Sequence, residues 1–512
     1  MTKADIFEIG SEDAWREARA RIEAEFSFRD LAPARGSLEV WDTFDALVWK
    51  AGCALLARGA RWEFGARQAP WRPCSLARRS DERFAWDFPA GEPRDRLAAI
   101  VKARAILPGA SLAWSRRTTE ILDAVGKIVC RLDCEEWTSP AREAALQLVV
   151  IRPLRGYDAE AARLRELLSD AGEAFSESDR FLHALERLGE PVSGAAGVEH
   201  VPATPVMPAR EAVSRMAGEM LRRARACEAG VCDDIDTEFL HDYRVYLRKA
   251  RSVLALLKGV FPAETTERLK RLLGDMARRT NRLRDADVYL HRRAEYESWL
   301  PAELRAGLEP LFPDFEVLRA TEQRAVSRYL HGPEYRAAVM DVERVLAHPE
   351  AASATPISGA PVGPLIQRAL ARRYRRIVRL AREIDHETTD EAIHDLRIQG
   401  KKLRYLLEFT RDLVSAEDRA RLEEPLRRLQ NRLGAFNDFS VQRSTLLAHA
   451  RNAATPDAGE LLAVGGLAAV LHERQTAERA KILARLRAFC GRETRRWVRE
   501  RFAAASPEEP AS

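Results

Sequence analysis

A chain of 512 residues that is 46% hydrophobic can fill about three cores of ordinary size. Its 83 Lys and Arg barely exceed its 78 Asp and Glu, so basic surface must be local and a uniformly positive nucleic-acid coat is excluded. No run approaches the ~18 apolar residues that cross a bilayer, and seven cysteines without a CxxC spacing argue against a disulfide framework.

Taken from the N-terminus, residues 12–25 and 159–171 carry helical spacing. Residues 38–41, 61–64 (RWEF), 127–132 (KIVCRL) and 146–151 (LQLVVI) are short β-branched or aromatic runs and predict strands. Helices interleaved with strands predict an antiparallel α+β unit over residues 1–187. Residues 188–209 and 347–363 are rich in Pro, Gly, Val and Ala, lack any apolar period and read as linkers. Between and after them, 210–346 and 364–502 read as nearly all helix, with Pro262 and Pro301 at helix starts and 503–512 as a disordered tail. Leu269, Leu272, Leu273, Met276 and Leu283 mark one apolar seam, and Leu422, Leu426, Leu429 and Leu433 its counterpart. Four or five helices in each part suffice for an antiparallel bundle.

The two helical parts are copies. HDYRVYLRKAR (241–251) recurs 153 residues on as HDLRIQGKKLR (394–404), and RDAD-V (284–288) recurs as NDFS-V (437–441) at the same offset. At roughly 100° per residue, positions i, i+3, i+7 and i+10 share one helix face. His241, Arg244, Arg248 and Arg251 occupy that face in the first copy, and His394, Arg397, Lys401 and Arg404 in the second. Tyr243, Leu247, Ala250, Leu254 and Leu257 lie on the opposite side as an apolar seam. A charged row usually means a solvated surface, and such rows usually alternate in sign. The first copy has no acid at those spacings, whereas Asp390 and Glu408 bracket the second. Two copies in register favour an anion-binding face, and the duplication predicts two bundles that turn these faces to one groove.

On these residues the helical region resembles the CHAD family, whose name refers to histidines in an α-helical domain. The resemblance rests on the two stripes, on TNRLRDADV ending at Val288 and on LQNRLGAFNDFSV ending at Val441. It implies an all-α domain of two pseudo-symmetric bundles that binds inorganic polyphosphate through basic surfaces. By position it assigns that role to His241, Arg244, Arg248, Lys249 and Arg251, and to His394, Arg397, Lys401, Lys402 and Arg404. Arg279 and its partner 153 residues on, Arg432, follow them.

The first 187 residues are similar to a CYTH, or triphosphate-tunnel, domain: a tunnel-like antiparallel β barrel with helices. The similarity lies in VWDTFD (40–45), KAG (50–52), DCEEW (133–137) and IRPLRGY (151–157). Active members open on an E-x-E-x-K strand; here the opening strand offers only Glu8, and the EAE at 23–25 is followed by Phe26 and Ser27. Gln147 and Val149 stand where late carboxylates are usual, and of the paired cations after the glycine only Arg58 remains, with Leu56 in the first position. Triphosphate hydrolysis in a tunnel needs carboxylates to hold Mg²⁺ or Mn²⁺. The reading is therefore a degenerate, catalytically silent tunnel domain without cofactor or metal, the alternative being a rewired hydrolase or cyclase using Asp133, Glu135 and Glu136.

The expected partner is inorganic polyphosphate, with attachment to cytoplasmic polyphosphate granules as its setting and no membrane. Arginine forks and lysine point charges on rigid helices suit a linear polyanion, and counterion release makes such binding salt-sensitive. Nucleic acid is the third reading and is disfavoured, because sequence-tolerant single-strand binding interleaves aromatics with cations and Tyr243 and Tyr246 face the seam.

Overall fold

The computed structural model describes residues 5–59, 61–67, 73–77, 83–140, 144–175, 180–190, 192, 202–452 and 457–502. The predicted tail at 503–512 and much of the first predicted linker lie outside them. The chain forms two compact units, Met1–Val198 and Glu199–Ser512.

The first unit is one antiparallel sheet with helices on both faces. Its strands are β1 (Asp5–Ile9), β2 (Ser27–Asp30), β3 (Ala34–Asp42), β4 (Cys53–Arg58), β5 (Arg61–Ala66), β6 (Cys74–Ala77), β7 (Leu107–Leu122), β8 (Ile128–Thr138), β9 (Ala145–Pro153) and β10 (Gly172–Phe175). They run in the order β10-β1-β9-β8-β7-β3-β4-β5-β6, with β2 added on β7. Helices α1 (Glu12–Glu25) and α4 (Asp158–Leu168) cover part of one face over Phe7, Ile121, Leu132 and Ile151. Helices α2 (Leu47–Lys50) and α3 (Glu92–Val101) cover another part over Leu55, Trp62 and Phe64. The period-2 partners of those residues, Leu38, Leu56, Leu112, Trp137 and Leu148, point the other way and meet Phe181, Leu182 and Leu185 of α5 (Arg180–Arg187). Asp42 of the VWDTFD motif accepts from the backbone N–H groups of Thr43, Val48 and Trp49 at 2.7–2.9 Å, so it caps the turn into α2.

The second unit is all helix: α6 (Ala209–Ala226), α7 (Glu228–Cys232), α8 (Thr237–Leu256), α9 (Ala263–Arg278), α10 (Asn281–His291), α11 (Arg293–Trp299), α12 (Ala302–Arg305), α13 (Leu311–Leu330), α14 (Pro333–Ala347), α15 (Val362–Arg382), α16 (Asp390–Phe409), α17 (Ala416–Asn452), α18 (Ala458–Phe489) and α19 (Arg492–Phe502). None of the helices among the described residues is long and apolar enough to cross a membrane. The duplication governs the architecture: α6 and α15, α8 and α16, and α9 and α17 each begin 153 residues apart. Where the two copies meet, the Ala209 N–H donates to Ala360 O at 2.8 Å and the Val362 N–H to Met207 O at 2.9 Å. Shifting either bond by the repeat offset yields the other, which is the signature of a pseudo-twofold axis through this bridge.

The copies differ in one instructive place. In the first, the helix breaks at Thr280, whose hydroxyl donates back to Ala277 O at 2.8 Å. Leu433, fully buried at the equivalent position, carries α17 straight through over 37 residues. Among the described residues the first copy holds nine α-helices rather than four or five, while the second has five.

A cationic cleft between the repeats

Helix α8 starts cleanly because the Asp236 carboxylate accepts from the N–H groups of Glu238 and Phe239; Thr389 caps α16 through the N–H of Ala392. Both helices bury their apolar seam, Tyr243, Leu247 and Leu254 in one and Leu396, Leu403 and Leu407 in the other. The opposite sides open on one cleft of about 610 Å³. His241, Arg244 and Arg248 line it from α8, and Arg397 and Lys401 line it from α16. Its remaining walls are α10 with Arg292 just beyond its end, and α17; they contribute Arg284, Asp285, Val288 and Arg292 and their twins Asn437, Asp438, Val441 and Thr445. His394 stands beside it, with Nδ1 2.6 Å from Asn437 Oδ1.

Twin positions do not have twin environments. The Arg244 guanidinium donates to Ala277 O, Thr280 Oγ1 and Asn281 Oδ1 at 2.7–2.8 Å, so the helix break in the first copy holds it. No such break faces Arg397: its Nε is buried without a hydrogen-bond partner among the described residues, and its nearest carboxylate, Asp438, is 4.0 Å away. Arg248 Nε donates to the Tyr405 hydroxyl at 2.9 Å, reaching across from the first copy to the second. Burial lowers the pKa of Arg244 and of Arg397, and Arg248 adds to the lowering in both. Lys401 is the extreme case: burial first, then Arg397, Arg248 and Arg404, bring its ammonium down to about 7.

Of the other assigned cations, Lys249 pairs with Glu408 across the repeat boundary. Lys402 faces Arg373, Lys258 and Lys270, and burial together with those charges lowers its pKa. Arg251 is exposed and lies against Gly274 of α9. Arg404 is exposed, 5.2 Å over the Tyr405 ring. Arg279 pairs with Glu334 at 3.2 Å and Arg432 with Glu478 at 3.4 Å. None of these six lines the cleft. Tyr243 is fully buried, as its seam position requires, while Tyr246 is only half-buried under Lys249.

Sequence reasoning gave no role to Arg284, His291 and Arg292, which line the cleft. The signal was present, since the RDADV/NDFSV echo is the wall itself. Carboxylates are here too: Glu238, Asp285, Asp287 and Asp438 share the lining with six arginines and lysines. Asp287 is spent on Arg319 at 2.8 Å and Glu238 stands 3.8 Å from Arg284. Burial raises the pKa of Asp285 against the pull of Arg244 and Arg284.

In the sheet unit Asp133, Glu135 and Glu8 are committed to cations. Thr118 donates to Asp133 at 2.6 Å, and Arg152 pairs with the same carboxylate. Arg180 of α5 pairs with Glu135 at 2.8 Å, while burial raises that carboxyl's pKa. Glu8 takes His183 at 2.8 Å and Arg187, both from α5; burial opposes the shift, yet these partners hold the carboxyl below its usual range. Glu136 is exposed. Among the described residues no group of three or more His, Cys, Asp or Glu could hold a metal ion.

A duplicated helical module with a cationic cleft at its pseudo-twofold defines the class. The model of the CHAD domain family matches residues 215–447. Over 433 residues the chain is 27% identical to Uncharacterized protein MT2285 and to Uncharacterized protein Rv2226, both of Mycobacterium tuberculosis, covering 77% of this chain and 79% of each relative. Among solved structures, the CHAD domain from the plant Ricinus communis aligns with a TM-score of 0.48 at 22% identity, over 57% of this chain and 96% of that one. PptA from Streptomyces chartreusis aligns at 0.43 and 16% identity, over 54% of this chain and 99% of that one.

Proposed function

We propose that this chain binds inorganic polyphosphate in the cleft between the two helical repeats, with His241, Arg244, Arg248, Arg397 and Lys401 as its core and His394 at its edge. The match to the CHAD domain family supports a polyphosphate-related role. The observation that carries the finer reading is the opening of both stripes on one cleft, where cations outnumber carboxylates and the nearest carboxylate to buried Arg397, Asp438, is 4.0 Å away. Burying cations together in this way costs stability unless an anion fills the space between them. A polyphosphate chain supplies such anions in series and has only acceptor oxygens to offer. Lys249, Arg279 and Arg432 are more simply structural, since each has a carboxylate partner.

Competition binding at two salt concentrations tests this reading. Long-chain polyphosphate should displace a labelled polyphosphate probe at concentrations far below those at which RNA or ATP does, with affinity falling steeply as salt rises. Equal displacement by RNA at matched charge would replace polyphosphate with nucleic acid.

The sheet unit, in this reading, is a tunnel-type domain whose inner face has been filled. Its helix α5 brings Arg180, His183 and Arg187 to carboxylates that would otherwise be available to a metal, and packs Phe181 and Leu185 onto the sheet. The expected result is no phosphate release from tripolyphosphate above background with Mg²⁺ or Mn²⁺, read by a colorimetric phosphate assay. Metal-dependent turnover that disappears in Glu135→Gln would restore the hydrolase alternative.

A further inference from the structure

Helices α15 and α19 form a second groove, of about 880 Å³, that the duplicated motif does not touch. Arg368, Arg372, Arg375, Arg379 and Arg382 line it from α15 at spacings of four, three, four and three, one continuous helix face. Arg492, Arg495, Arg496 and Arg499 line it from α19, again on one face. Among the described residues the lining contains nine arginines and no carboxylate, against six cations and four carboxylates in the central cleft. Tyr374, Val378, Val498 and Phe502 form a buried floor. Arg496 stands 3.9 Å from Glu500, whereas the Nε of half-buried Arg495 has no hydrogen-bond partner among the described residues.

The duplicate helix is an internal control. Helix α6 occupies the equivalent place in the first copy and is also rich in arginine, but Arg215 pairs with Glu211 and Arg223 with Glu219. The residues 153 positions on from those glutamates are Pro364 and Arg372. The second copy thus has a cation where the first has its neutraliser, and like charges a turn apart are destabilising without a counter-charge.

We infer that the α15/α19 groove is a second phosphate-polymer site, separate from the cleft at the pseudo-twofold. Its lining is all donor: guanidinium forks along both walls, with the one hydroxyl, that of Tyr374, already donating to Phe489 O at 2.9 Å. A phosphate chain is all acceptor and matches it. A peptide would bring backbone N–H groups that need acceptors, and a single-stranded nucleic acid would need open aromatic faces, whereas Tyr374 and Phe502 are 2% and 3% exposed. The choice of arginine throughout fits bidentate contact with phosphate oxygens.

The test is titration of the full chain with tripolyphosphate, and with long-chain polyphosphate over a salt series. The parent should show two classes of tripolyphosphate site. The Arg372→Gln, Arg375→Gln, Arg379→Gln triple should lose one class and lower the salt slope for the long polymer by about 2, at ~0.7 for each lost contact. The matching Arg→Lys triple should keep that slope with several-fold weaker binding, which separates charge from fold damage. One class of site in the parent, lost only when Arg248, Arg397 and Lys401 are changed, overturns this inference and leaves the cleft intact. No binding at all overturns both. Polyglutamate or RNA displacing the polymer from this groove at equal charge would overturn the assignment in favour of a protein or nucleic-acid partner.

Discussion

Charge reversal at Arg244, Arg248, Arg397 and Lys401 together should abolish polyphosphate retention by the central cleft. Each charge-assisted hydrogen bond is worth about 1.5–3 kcal/mol, and four reversals also add four repulsive carboxylates, so the loss at that site should exceed ~10³-fold. The four positions are not equivalent as structural elements. Arg244 holds the break between α9 and α10 through three hydrogen bonds, and losing them leaves Ala277 O and Asn281 Oδ1 without this donor. Its reversal alone should therefore destabilise the fold by about 2 kcal/mol or more. The cleaner experiment is the Arg248→Glu, Arg397→Glu, Lys401→Glu triple, read by polyphosphate pull-down with circular dichroism as the fold control. Because the α15/α19 groove is untouched in that variant, residual binding must disappear when Arg372, Arg375 and Arg379 are changed as well. Retention equal to the parent in the combined variant would remove both sites from the molecule.

Why some of this was legible in the chain and some not follows from where the information is stored. The stripes could be read because helix geometry is local: His241, Arg244 and Arg248 share a face whatever surrounds them. The repeat offset read from the motifs extends to the whole of α8 and α16, whose starts and ends each lie 153 residues apart. Lys249 and Lys402 recur at the same offset but lie one residue off the stripe, and that single 100° step takes one to Glu408 and the other toward Arg373. The second wall of the cleft was visible as an echo, RDADV and NDFSV, yet nothing local says that α10 and α17 face α8 and α16. In the sheet unit β7 was missed, because Leu112 faces one core and Ile121 the other, so alternation is lost midway along its 16 residues. The α15 arginines form a row in the sequence as plain as the first stripe. Their counterpart on α19 lies more than a hundred residues away, and only the tertiary fold makes a groove of the two.

Lys401 should make binding depend on pH around and above neutrality. Its ammonium is held at about 7 by burial and by Arg397, Arg248 and Arg404, against an ordinary lysine value of ~10.4 in the unfolded chain. Between these two values the unfolded chain binds the extra proton, so the free protein gains stability as pH rises through that window; below it the full penalty of holding the charge is present. A bound phosphate reverses the balance by raising the pKa back toward its ordinary range. Binding should then take up a proton from pH 7 to 9, and affinity should weaken as pH rises from 6 to 9. Calorimetry in buffers of different ionisation enthalpy reads the uptake directly. Lys401→Met removes the buried charge: at pH 6 it should raise the Tm of the free protein by ~2–4 °C per kcal/mol relieved while weakening polyphosphate binding. Lys401→Arg stays charged throughout and should bind with this pH dependence removed, which isolates the residue from the imidazoles of the cleft. A parent affinity that is flat from pH 6 to 9, or an arginine variant that keeps the parent's slope, would mean that the polymer never meets this side chain. A lysine whose charge is disfavoured first by burial and then by neighbouring cations fits a site kept open for a polyanion, whereas a close carboxylate partner would hold the ammonium charged.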